Sequence, residues 1–168
     1  EEQDLNGTVF SYKNWKHVRI KLLGENQVNN AVTAIITIEA LQRAGYSITK
    51  EEIYTGLLNT IWSGRFEILK KNPLFIVDGA HNEDAALSLG RNINIYLKNK
   101  KIIYIMGVLA DKDYEAVLKH TGKYASAIIT ITPDNSRGLS SKSLAEAANQ
   151  YCNIVYDCNR VPKAIDMA

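Results

Sequence analysis

After Trp62 the chain alternates short apolar runs with amphipathic helical stretches, and few folds accept that pattern. A strand at 65–69 precedes "LFIV" at 74–77. The segment EDAALSLGRNINIYLK then places Ala86, Leu89, Ile93, Tyr96 and Leu97 on one helical face, with Asn82 placed to cap it. KIIYIMGV reads as a strand, YEAVLKH as a helix, SAIITIT as a strand, LAEAANQ as a helix and NIVY as the last strand. Near-continuous β-branched runs separated by helices belong to parallel strands buried on both faces. Residues 63–168 are therefore predicted to be α/β: a Rossmann-like, mostly parallel sheet with helices on both faces, hinged near Ser63-Gly64.

The front of the chain reads differently. Residues 8–23 alternate as strands, and VNNAVTAIITIEALQRA forms a helix with Ala31, Ala34, Ile35, Ile38 and Leu41 on one face, stopped by Gly45. A second helix begins at Thr49, where Thr-x-x-Glu to Glu52 is a capping box, and is expected to bury Ile53, Leu57 and Ile61. This block is predicted to be a strand–helix–helix tail with no sheet long enough to be independent. The chain stops at RVPKAIDMA, the first turns of a helix, and is expected to be an excerpt of a longer protein.

Composition removes several function classes. Of 168 residues, 46% are hydrophobic and 23% charged, with 20 Lys plus Arg against 18 Asp plus Glu. A net charge of +2 is no electrostatic footprint for nucleic acid or an anionic membrane. No apolar run approaches the length of a membrane span, and EEQDLNG is no signal peptide. Two cysteines, Cys152 and Cys158, suit a reduced, cytoplasmic protein and lack metal-ligand spacing with any histidine.

In an open parallel sheet, ligands bind at the carboxyl ends of the strands. Each predicted exit carries polar residues: Asp78 and His81, then Asp111, Lys112 and Asp113, then Asp134, Asn135 and Arg137. At such an exit, Asp78 is expected to serve a ligand rather than the core.

Taken in order, "LLGENQVNNAVTAI", "WSGRFEIL", "FIVDGAHNEDA", "IMGVLADKD" and "PDNSRGLS" resemble the folylpolyglutamate synthase/dihydrofolate synthase family of ATP-dependent amide ligases, within the Mur ligase superfamily. The resemblance runs from about Tyr12 onward. It implies that residues 1–62 are the incomplete tail of the central ATP-binding domain and 63–168 a truncated C-terminal Rossmann-like domain. By the same resemblance Asn30 stands beside the adenine, Arg65 reaches the phosphates, Asp78 approaches the ribose and His81 lies near the nucleotide. Arg65 and His81 are then the catalytic candidates, and Arg137, in a segment resembling a D-N-P-R motif, would clamp a carboxylate of incoming glutamate. The implied reaction phosphorylates a carboxylate of folate or dihydropteroate with ATP and Mg2+, and the glutamate amine then attacks the acyl phosphate. A fixed arginine suits the charge that builds on the phosphoryl group. The family's enzymes are expected to act as monomers on small molecules.

Departures accompany the likeness. Gly24-Glu25-Asn26-Gln27 stands for Gly-x-His-Gln, Ser63 and Glu83 stand where prolines are common, and Ser136 replaces the proline of D-N-P-R. No G-x-x-x-x-G-K-[ST] occurs, so the phosphate loop and metal ligands are expected upstream, and the stretch alone is expected to be inactive. Plainer roles exist for the same residues. Asp78 and His81 could form a capping turn, Arg65 could be a solvated strand residue and Asn30 could face water. Asp111 or Asp113 reads as an N-cap, and His17 and His120 as surface residues. Two other functions remain open: a peptidoglycan Mur ligase acting on a UDP-sugar peptide, and a non-catalytic nucleotide-binding module. The DGAHN form favours the folate branch.

Overall fold

Phe10, Trp15, Val18 and Ile20 recur along two adjacent strands and turn their side chains to one face, so those strands need a partner layer. The computed structural model, which describes residues 2–168, supplies it. Strands β1 (Glu2–Asp4), β2 (Gly7–Tyr12) and β3 (Trp15–Ile20) form an antiparallel sheet in the order β1-β2-β3. Helices α1 (Glu25–Arg43) and α2 (Lys50–Asn59) share its core, in which Val28, Ala31, Ile35 and Ile53 pack with Phe10, Trp15, Val18 and Ile20. Gly45, at φ +98°, follows the end of α1, and Thr49 and Glu52 make the reciprocal capping box that starts α2. Strand β4 (Glu67–Lys71) then pairs antiparallel with β5 (Leu74–Val77).

Those elements, through Gly79, form one compact unit, and residues from Ala80 form another. In the second, β6 (Ile103–Met106), β7 (Ala127–Ile131) and β8 (Val155–Asn159) lie parallel in the order β6-β7-β8. The crossovers are α4 (Tyr114–Thr121) and α5 (Ser141–Ala148), while α3 (Glu83–Tyr96) precedes the sheet and α6 (Val161–Met167) follows it. Alternation along β7 sorts the helices. Ile128 joins Met106 and Val108 in a core with Ala86 of α3, Val117 and Leu118 of α4, and Leu144 and Ala148 of α5. Ile129 and Ile131 point the other way, to Ala164 of α6 and Cys158. Thr130 is fully buried, and its Oγ1 donates to the Ser141 carbonyl at 2.8 Å, so its polarity is satisfied. Among the described residues no helix is long and apolar enough to cross a membrane.

The α/β reading of the second half and its helices on both faces hold. Several details differ. The strand expected at 65–69 lies at Glu67–Lys71 and is antiparallel to β5, so this hairpin is a separate two-stranded sheet and no part of the parallel one. The front block has a three-stranded sheet of its own, including β1, which period-two patterning missed because it is three residues long. Leu41 is 38% exposed, since the buried contacts of α1 with the sheet core run from Val28 to Ile38 and stop short of it. Ile61 is 77% exposed because α2 ends at Asn59, before the face comes round again. The last strand begins two residues later than NIVY and ends at Asn159, and His120, expected at the surface, is half-buried with Nε2 3.5 Å from Glu83 Oε1.

Helices α3 and α4 approach closely at Gly90, where a Cβ would lie 2.8 Å from the His120 carbonyl oxygen. Ala is the better helix former by about 1 kcal/mol, but overpacking against backbone costs about 1–3 kcal/mol. Gly90→Ala is expected to destabilise the protein, read as a lower urea midpoint at unchanged m-value; a raised midpoint would mean that the helices separate freely.

Candidate active site

Strand β5 ends in Asp78-Gly79, and the segment entering β4 folds back to meet it. That segment is conformationally costly: Gly64 has φ +72° and Phe66, a non-glycine, φ +47°. A left-handed non-glycine residue costs roughly 1–2 kcal/mol. Three hydrogen bonds hold it. The Phe66 N–H donates to Asp78 Oδ2 at 2.8 Å, the Gly64 N–H to Glu67 Oε2 at 2.8 Å, and the Gly79 N–H to the Gly64 carbonyl at 2.8 Å. Two of these acceptors are carboxylates, and charge-assisted bonds contribute about 1.5–3 kcal/mol each, enough to offset the strain. Phe66 anchors the turn by burying its ring, at 3% exposure. Between the anchored positions Arg65 remains exposed.

Arg65 and Asp78 are thus brought together through one loop. Asp78 is half-buried and already serves the backbone, so it is a structural residue whether or not it also meets a ligand. Beside this loop lies a pocket of about 360 Å³ within the first unit, lined among others by Leu22, Leu23, Trp62, Arg65, Ile68 and Lys70. Asn30 stands exposed on α1, its Nδ2 donating to Gln27 Oε1 at 3.2 Å. His81 is exposed in the connection that leads to α3; Asp78 falls in the first unit and His81 in the second, so the DGAHN run spans their junction. Asn82 caps α3, its Oδ1 accepting the Ala85 N–H at 2.9 Å.

A second cluster forms at the exits of β6 and β7. The Ala110 N–H donates to the Arg137 carbonyl at 2.8 Å, and Arg137 Nη1 lies 3.3 Å from Asp111 Oδ2, with Lys112 Nζ at 3.4 Å from the same oxygen. Asp113, not Asp111, caps α4, accepting the Ala116 N–H at 3.1 Å. Desolvation pushes the Asp111 carboxyl up, but its own backbone N–H, then Arg137 and Lys112, together hold it below the ordinary aspartate value. Among the described residues no three His, Cys, Asp or Glu side chains gather as a metal site. The residue that sequence reasoning passed over is Glu67. It sat inside the quoted WSGRFEIL, and its only signal was a carboxylate three positions after a glycine amide.

Residues 64–168 match the family model "Mur ligase, glutamate ligase domain", and the chain belongs to that family. It is 30% identical over 147 residues to the dihydrofolate synthase/folylpolyglutamate synthase of Bacillus subtilis, covering 84% of this chain and 34% of that protein. The folylpolyglutamate synthase structure from Thermotoga maritima superposes with a TM-score of 0.87 at 28% identity, over 100% of this chain and 40% of that one. The Mycobacterium tuberculosis folylpolyglutamate synthase, solved with ADP and AMPPCP, gives 0.83 at 25% identity over 91% of this chain and 35% of that one. The chain therefore spans about a third of the length of the curated relative it matches, 34% of the B. subtilis protein.

Two outcomes follow from the geometry. Asp78→Ala leaves the Phe66 amide without its acceptor, so it should destabilise the ligand-free protein by about 1–3 kcal/mol and speed hydrogen exchange at Phe66; unchanged exchange would refute the clasp. For Asp111, a depressed folded pKa means its stabilising contribution is present above the ordinary value of 3.8 and lost as pH falls through the depressed one. In an NMR titration its midpoint should lie below 3.8 and move up in Arg137→Ala; an unmoved midpoint would show that the pair is not formed in solution.

Proposed function

We propose that this chain is part of an ATP-dependent ligase that joins glutamate to a carboxylate of folate or dihydropteroate through an acyl phosphate. Residues 1–62 belong, in this reading, to the tail of a central ATP-binding domain and 63–168 to the C-terminal glutamate ligase domain, although the β4–β5 hairpin packs with the front block. Membership of the glutamate ligase domain family supports the amine substrate, and the names of the relatives support the folate-type acceptor. The ADP and AMPPCP bound by the M. tuberculosis protein support the nucleotide.

The observation that carries the reading is an arginine left exposed on a backbone held rigid by its neighbours. Arg65 would stabilise negative charge on the transferring phosphoryl group, and a donor that need not reorganise is worth most in the transition state. Asn30 offers an amide that can both donate to and accept from an adenine, and the Asp78 carboxylate is a group that accepts hydrogen bonds from ribose hydroxyls. His81, three residues beyond Asp78, is assigned to the same nucleotide. Arg137 would release Asp111 to clamp the glutamate carboxylate. Mg2+ is the metal of this reading, but no ligand set for it gathers among the described residues. The full-length protein is read as a cytoplasmic monomer.

The test is glutamate- and folate-dependent phosphate release from ATP by the full-length protein that carries this chain. Arg65→Ala should lower kcat by about 10²–10³-fold while raising the KM for ATP far less. An unchanged kcat with a raised KM would make Arg65 a uniform binding residue. Turnover of a UDP-sugar peptide in place of folate would move the protein to the peptidoglycan branch.

A further inference from the structure

We propose that Glu67 is a positioning residue that holds Arg65 in place through the backbone of Gly64; this rests on the reading that Arg65 meets phosphoryl oxygens. Each peptide plane around Arg65 has its own anchor. The plane between Gly64 and Arg65 is held by the Gly64 carbonyl, which accepts the Gly79 N–H at 2.8 Å. The plane between Arg65 and Phe66 is held by the Phe66 N–H on Asp78 Oδ2 at 2.8 Å. Those two bonds restrict φ and ψ of Arg65 itself. The remaining freedom lies one residue earlier, at Gly64.

Gly64 is the weak point of such a loop. It sits at φ +72°, and nothing lies within 4 Å of where a Cβ would stand, so packing does not restrain it. Glycine also has the widest choice of alternative backbone conformations. Glu67 supplies the missing restraint: its Oε2 takes the Gly64 N–H at 2.8 Å, closing a short ring over Arg65. Its own backbone is fixed, because Glu67 opens β4 and pairs with Val77, the residue before Asp78. One strand pair therefore carries both carboxylates that grip the loop.

There is a chemical consequence. The N–H groups of Gly64 and Phe66, on either side of Arg65, are both donated to the protein's own carboxylates. An incoming anion meets the exposed guanidinium on a fixed backbone, not a pair of loop amides. Placement of a charged donor to within a fraction of an ångström is where positioning residues act on rate.

The experiment uses the full-length protein that carries this chain, with Glu67→Ala and Glu67→Gln made alone and in an Arg65→Ala background. Glu67→Ala should lower kcat about tenfold with the KM for ATP within about twofold, because a misplaced donor costs transition-state stabilisation more than ground-state binding. Glu67→Gln keeps an acceptor oxygen and should recover most of the loss. In the Arg65→Ala background the Glu67→Ala change should alter kcat by less than about twofold, since residues acting through one another are not additive. NMR hydrogen exchange at the Gly64 amide should quicken about tenfold or more in Glu67→Ala, the size expected for one lost hydrogen bond, with amides of β6–β8 unaffected. An unaltered Gly64 exchange rate, or a full-sized Glu67→Ala loss on top of Arg65→Ala, overturns the proposal. An Arg65→Ala protein with normal kcat would instead sink the functional reading, and the Gly64 amide would still decide whether Glu67 holds the loop. Should the alanine variant fail to fold, Glu67→Met, which keeps the length of the side chain and removes the carboxylate acceptor, is read on the same amide and should quicken its exchange likewise.

Discussion

Strand β7 has no face turned to water, and the second unit is organised around that fact. Its even positions, Ile128 and the fully buried Thr130, face α5 and the core shared with α3 and α4, while Ile129 and Ile131 face α6. A central parallel strand can be buried this way only if helices cover both faces, and here α3, α4 and α5 cover one while α6 covers the other. Because every strand then runs the same way, the loops that leave β6 and β7 emerge at one end. Asp111 and Arg137 meet there although they are far apart in sequence. The polar cluster is a product of the direction of the strands.

The hairpin β4–β5 solves a different problem. A two-stranded sheet is marginal by itself, and this one is tied to the front block, with Lys71 Nζ donating to Asn6 Oδ1 at 3.1 Å and Phe66 buried at its base. The family match begins at Gly64, yet the compact unit ends at Gly79. The hairpin is thus the stretch where the evolutionary domain and the packed unit overlap. It is also where the strained loop bearing Arg65 is held, so its carboxylates have work in the folded protein before any ligand arrives.

Much of this was legible from residue patterns. Helix α3 reads directly from its apolar spacing and its Asn82 cap, α2 from its capping box, and the parallel strands from their β-branched runs. The exits of the strands mark where chemistry should collect, and Asp78 and Arg137 lie at such positions, while Arg65 stands at the entry to β4. Other features were hidden for physical reasons. Strand β1 is shorter than any usable period, and α2 ends at Asn59, where Thr60 turns to extended backbone with no adjacent glycine or proline to announce it. Glu67 looked like an ordinary strand residue, because nothing in WSGRFEIL says that its carboxylate turns back on its own chain.

By itself the sequence determined the alternation of elements, their faces and caps, and the residue types available at each turn, since these depend on periods of two to four residues. Tertiary structure decided what those residues touch. Whether Asp78 serves a ligand or the Phe66 amide, whether Arg137 finds Asp111, and whether the strand before β5 runs with it or against it are set by contacts between segments. A hydrogen bond is satisfied by proximity in space, and local pattern carries no record of which distant group will arrive.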